Sequence, residues 1–115
     1  MSPSFHHNLV ESGRWATFSI FEQMGNIGSE VDRALHWNEK GDQTSARRAV
    51  DRALELLDLT VADRRYRAIP GRLKELTRAR EVLCDFFYGE NEYGSSAQFL
   101  KNYFLAFALA SRKDR

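Results

Sequence analysis

A chain of 115 residues with 43% hydrophobic side chains can bury a core of its own, which fits a single domain and excludes disorder as the default state. Its net charge of +1 and pI of about 7.9 stand well below the basic footprint of a dedicated nucleic-acid binder. A lone Cys84 cannot close an internal disulfide, the longest apolar run (103–110) is too short to cross a bilayer, and the opening MSPSFHHNLVESGR lacks the build of a signal peptide, so a soluble cytoplasmic protein without membrane contact is expected.

Residues 1–12 are expected to be a loose N-terminus, with His6 and His7 in it and Ser12 as the N-cap of a first helix over about 14–40. In that helix Ile20, Met24, Ile27, Val31 and Ala34 recur in alternating steps of four and three, the seam of a helical bundle. Phe21, Gly28 and Leu35 widen it. Gly25 and Gly28 interrupt an otherwise strong helix, and a smooth spot for a neighbouring helix explains them best. Gly41 suits a left-handed helix end.

The second predicted helix, 43–63, carries the clearest pattern. Ala46, Ala49, Val50, Ala53, Leu54, Leu57 and Val61 share one face, with Asp42 as cap and charged residues opposite. Such a helix needs an apolar partner to lie against. A third helix over 70–88 starts with Pro70 in its first turn, aligns Leu73, Leu76, Leu83, Phe86 and Phe87, and stops at Gly89. A fourth, over 96–112, begins at a capping box of Ser95 and Gln98. No alternating run and no Asn-Gly or Asp-Gly turn argues for a strand. The predicted fold is an all-α, antiparallel four-helix bundle occupying residues 1–115 as one domain.

The fourth helix is apolar on every side from 103 to 110. In so small a bundle no helix is enclosed by the other three, so a homodimer is expected, with Phe87, Phe99, Tyr103, Phe104 and Phe107 at its interface.

Charge is unevenly distributed. Residues 1–63 hold six Lys/Arg against ten Asp/Glu, and residues 64–115 hold eleven against six. The stretch 64–80 has seven basic residues and the single acid Glu75. Arg64, Arg65, Arg67, Arg72, Lys74 and Arg78 are therefore the candidate nucleic-acid contacts, with Tyr66 available to stack on a base. The alternative is a solvated, ion-paired surface that includes Arg80. The loop 89–94 offers Glu90, Asn91, Glu92 and Tyr93 as a partner-contact site, because loops carry binding residues.

Catalytic signals are sparse. Asp32 and His36 stand four apart, a spacing that suits a metal or an oriented imidazole, but no Glu-x-x-His pair accompanies them. Cys84 reads as a buried, inert thiol. Neither a Gly-rich phosphate loop nor a metal-spaced Cys set is present, and the motifs imply no cofactor, no metal and no catalytic residue.

Two resemblances accompany these patterns. Gly41, Asp42, Ala46, Ala49, Val50, Ala53, Leu54 and Leu56 stand as they do in the second half of a tetratricopeptide repeat, which the segment resembles over one helix and its turn. Residues 64–115 supply no further copy, so the likeness implies a helical hairpin of similar packing and not an array. The four-helix plan also resembles the HEPN group of small dimeric bundles, some of them RNA-cleaving. Their nuclease motif, Arg followed four to six residues later by His on a late helix, has no counterpart here, so ribonuclease activity is not implied.

A non-catalytic helical protein acting through protein–protein contact is thus the leading expectation. Nucleic-acid binding through 64–80 is one alternative. A metal-dependent enzyme using Asp32, His36 and Glu90 or Glu92 is another.

Overall fold

Phe18 decides where the first long helix begins. The computed structural model describes residues 13–112, and in it Arg14–Thr17 form a short 3-10 turn that ends at Phe18 in an extended conformation (φ −79°, ψ 149°). Helix α1, Ile20–Glu39, then starts at Ser19 with a reciprocal capping box. The Glu22 amide donates to Ser19 Oγ at 3.1 Å, and the Ser19 amide to Glu22 Oε1 at 2.9 Å. The predicted start near 14 is thereby corrected, since an extended residue cannot carry the helical ladder through. Ser12, His6 and His7 lie outside the described residues.

At the other end of α1, Gly41 adopts φ 83°, where an L side chain is strained. This lets the Asp42 amide reach back to the Trp37 carbonyl at 2.9 Å. Asp42 caps helix α2, Gln43–Val61, by accepting from the Ser45 amide at 3.0 Å. The buried face of α2 is Ala46, Ala49, Val50, Ala53, Leu56, Leu57 and Thr60, while Leu54 and Val61 are only half-buried.

The stretch expected as a linker contains a further short helix, α3, Arg64–Arg67, capped by Asp63. Pro70 lies in the turn after it and not inside the next helix, because Gly71 (φ 81°) is the N-cap of α4, Arg72–Phe87. On α4 the inward positions are Arg72, Leu76, Ala79, Val82 and Leu83. Leu73, aligned in the sequence with Leu76 and Leu83, is 42% exposed, since it faces away from this stripe. Helix α5, Ala97–Arg112, is capped by Ser96, whose Oγ accepts from the Phe99 amide at 3.0 Å. The expected cap, Ser95, is instead buried and bonded to Asn91.

The described residues are helical with no strand. Helix α1 packs against both α2 and α5, and α2 also packs against α4, with α3 tucked on α4. Met24, Ile27 and Val31 of α1 meet Ala53, Leu56 and Leu57 of α2, Leu76 and Leu83 of α4, and Leu100 and Phe104 of α5 in one core. Each such side chain contributes on the order of 1.5–3 kcal/mol by leaving water. Gly28 marks the crossing of α5 over α1, where a Cβ would stand 3.8 Å from that of Phe104. Glu30, 5% exposed, is bound by Arg33 of its own helix and by Arg52 of α2, which satisfies a carboxylate that burial alone would penalise. The molecule is only 20 Å thick against 39 and 36 Å in the other directions, about two helix diameters. Helices α4 and α5 do not form a close pair, and the candidate site lies between them.

Candidate interaction surface

The turns of α4 explain why it stands away from α5. Its apolar stripe is aimed at the core it shares with α2, and the residues it presents toward α5 include Lys74, Glu75 and Arg78. Three long polar side chains cannot interdigitate with an apolar neighbour without desolvating their charges. A groove of about 740 Å³ results, with Tyr103, Ala106 and Phe107 of α5 opposite that wall and Pro70 and Gly71 at one end. The guanidinium of Arg72 lies over the Phe107 ring at 5.8 Å, within cation–π range, and only 8% of Arg72 is exposed. Burial pushes the Tyr103 phenol above its ordinary pKa. A second hollow, about 620 Å³, adjoins Arg67, Ile69 and Leu73, so that Lys74 and Arg78 form the ridge between the two.

The predicted basic stretch is divided by the fold. Arg65 is held by Asp63 at 2.6 Å, reaches the Phe18 carbonyl at 2.8 Å and lies over the Tyr66 ring at 5.1 Å. That hydrogen bond raises the Arg65 pKa and lowers that of Asp63. Arg80 is paired with Asp58 at 2.7 Å, and this bond likewise raises its pKa. Arg72 is turned inward, which corrects its expected role as a phosphate contact. Tyr66 is 4% exposed with its hydroxyl on Gln23, so it is a core residue and cannot stack on a base. Arg64, Arg67, Lys74 and Arg78 remain exposed, Arg78 over the Tyr93 ring at 5.6 Å.

Helix α5 separates the residues expected at the dimer interface. Phe104 is 2% exposed and belongs to this chain's own core, correcting its assignment to an interface. Phe87 is half-buried, edge-on to Phe86 at 4.9 Å and packed against Ala34, Ala49 and Val50. Phe99, Tyr103 and Phe107 recur every four residues along one face, with Phe99 and Tyr103 ring centroids 5.9 Å apart. Leu105 and Leu109 are 59% and 50% exposed on another side of the helix, and no sequence signal distinguished them within an apolar run.

The 89–94 loop is organised by a residue the sequence reading passed over. Asp85 of α4 accepts from the amides of Glu92 at 2.7 Å and Tyr93 at 3.0 Å. Asn91 adopts φ 54° and is tied to Ser95 through both side-chain atoms. The Tyr93 hydroxyl donates to Glu81 at 3.0 Å, which raises its pKa. Asn91 and Tyr93 thus shape the loop, while Glu90 and Glu92 are exposed. A short acid-bearing turn with an Asp at the preceding helix end was the available signal for Asp85.

Asp32 and His36 are both exposed on α1, and the His36 ring meets Trp37 edge-on at 5.0 Å. Among the described residues no three His, Cys, Asp or Glu side chains gather as a metal site requires. Cys84 is half-buried, its thiol pushed up chiefly by burial, with Arg80 Nη1 3.7 Å from its sulfur. No helix among the described residues is long and apolar enough to cross a membrane.

No protein-family model, curated protein or solved structure matches this chain.

Proposed function

We propose that this chain is a non-catalytic, cytoplasmic helical protein that works through protein–protein contact, its long helices antiparallel and two copies joined through α5. The observation that carries the reading is the exposure of Leu105 and Leu109, 59% and 50%, one turn apart on the same helix. Large apolar side chains grouped on one face favour contact over solvation. The lone half-buried thiol suits a reducing compartment.

Light scattering tests the dimer. The unmodified protein is expected at twice its 13.3 kDa mass, and Leu105→Glu with Leu109→Glu at the monomer mass with an unchanged helical spectrum. A monomeric unmodified protein at high concentration overturns the dimer. The competing reading, nucleic acid bound by Arg64, Arg67, Lys74 and Arg78, draws support from the exposure of these side chains. It is the weaker one, since Arg65 and Arg80 of the same stretch are paired with Asp63 and Asp58, and Arg72 and Tyr66 are buried.

A further inference from the structure

We propose that the groove between α4 and α5 is a docking site for an acidic amphipathic helix of a partner protein. The inference rests on the reading of this chain as a contact protein and names the kind of partner that this face takes.

The shape comes first. Two helices that stand apart over an apolar floor offer the place of a third, and helix-in-groove docking uses apolar anchors three and four residues apart. The groove's volume of about 740 Å³ lies within the usual range for occupied sites. Its floor is the Ala106 and Phe107 face of α5 with the Tyr103 ring, and Phe99 extends it, 48% exposed, one turn toward the start of α5.

Charge selects the occupant. Glu75 lies 3.8 Å from Arg72, and Glu81 accepts from the Tyr93 hydroxyl. The acids of this region thus already face partners within the chain. Lys74 and Arg67 are exposed and neither meets a carboxylate among the described residues, while Arg78 rests on an aromatic ring and keeps its full charge. The ridge above the apolar floor is therefore basic. A helix with leucines on one face and glutamates along its flanks satisfies both. A second copy of α5 does not, because the charged side chains described on that helix, Lys101 and Arg112, are themselves basic. Nucleic acid would gain the ridge but waste the apolar floor.

The test uses the full chain and a designed helical peptide of about 18 residues, five turns, with leucines at helical spacing and glutamates flanking them. The same peptide with every Glu replaced by Lys and a single-stranded RNA of about 15 nucleotides serve as comparisons. Fluorescence anisotropy is expected to show binding of the acidic peptide alone, weakening as salt rises. Lys74→Glu with Arg78→Glu should weaken it by about tenfold or more, and Ala106→Trp, which fills the floor, should do the same. Circular dichroism confirms that each variant keeps its helices.

Absence of acidic-peptide binding to the unmodified chain overturns the proposal, as does binding that neither variant reduces. RNA binding that the double charge reversal removes would reassign the ridge to nucleic acid. Conversion of a dimer to a monomer by Ala106→Trp would make a second copy the occupant. A Leu105→Glu, Leu109→Glu monomer that still binds the peptide separates this site from the dimer contact, and a monomeric unmodified chain that binds it leaves the groove standing without the dimer.

Discussion

The Tyr66 hydroxyl donates a 2.7 Å hydrogen bond to Gln23 Oε1, joining α3 to α1 inside the protein. Gln23 passes the connection on, donating from Nε2 to the Trp15 carbonyl at 2.8 Å. Trp15 Nε1 donates to Thr60 Oγ1 at 3.0 Å, and Thr60 donates to the Leu56 carbonyl at 2.8 Å. Gln23 and Thr60 have no exposed surface, and Trp15 and Tyr66 have 3% and 4%. A satisfied polar line of this kind fixes one arrangement of the 3-10 turn, α1, α2 and α3, because any other leaves buried groups without partners. Burial raises the Tyr66 pKa, so the hydroxyl stays protonated and able to donate.

Tyr66→Phe removes the hydroxyl and leaves Gln23 Oε1 in the interior without that donor. A loss of about 1–2 kcal/mol is expected from an unsatisfied buried acceptor. Denaturant unfolding reads it directly, and an unchanged midpoint would show that the line contributes nothing to stability.

Phe104 and Leu73 should part company on truncation. Phe104→Ala opens a cavity beside Gly28 and should cost about 3–5 kcal/mol. Leu73→Ala removes a side chain that is 42% exposed and should stay within about 0.5–1 kcal/mol. Comparable losses from the two would mean that α4 is rotated relative to the arrangement described.

Gly25→Ala should stabilise the protein. Gly25 sits inside α1 and, beyond the helix's own backbone, a Cβ there would meet no atom of the described residues within 4 Å, so the helix gains propensity without a clash. The gain is about 0.5–1 kcal/mol, and a lower melting temperature for this variant would place a neighbour where none is described. Gly28→Ala would bring its Cβ to 3.8 Å from Phe104, an ordinary contact, and should also be tolerated.

The Asp63–Arg65 pair predicts an acid limb. Hydrogen bonding from Arg65 holds Asp63 below its usual pKa of 3.8. The folded carboxylate then binds a proton less readily than the unfolded one, so its contribution is present above the unfolded value and is lost as pH falls through the folded value. Thermal melts of the unmodified protein and Asp63→Asn should differ by a constant amount above about pH 5 and converge below it. A gap that persists unchanged into strong acid would remove the pair from the stability account.

Hydrophobic spacing and local cap signals determined that this chain is helical and which segments hold its long helices, though not that the first begins at Ile20, because the i, i+3, i+4 rule and the backbone ladder act within one or two turns. The Ala46–Ala49–Ala53–Leu57 stripe of α2 is buried as that rule requires. Local rules also found the Asp42 cap and the Gly41 turn, but they could not choose Ser96 over Ser95, since Ser95 is claimed by Asn91 across the loop. Nor could they rank Phe104 against Phe107 and Leu105. In a helix apolar all round, periodicity names no inward face, and only the crossing of α5 over α1 at Gly28 assigns one. The basic stretch was visible as composition, and Arg65 finds Asp63 only two residues away, yet whether a guanidinium is spent on Asp58 or on the Phe107 ring depends on helices that meet from distant parts of the chain. The groove is the clearest case. It is the space left where α4 aims its apolar stripe at one neighbour and its charges at another, and such a space is a property of how helices are arranged and not of any one of them.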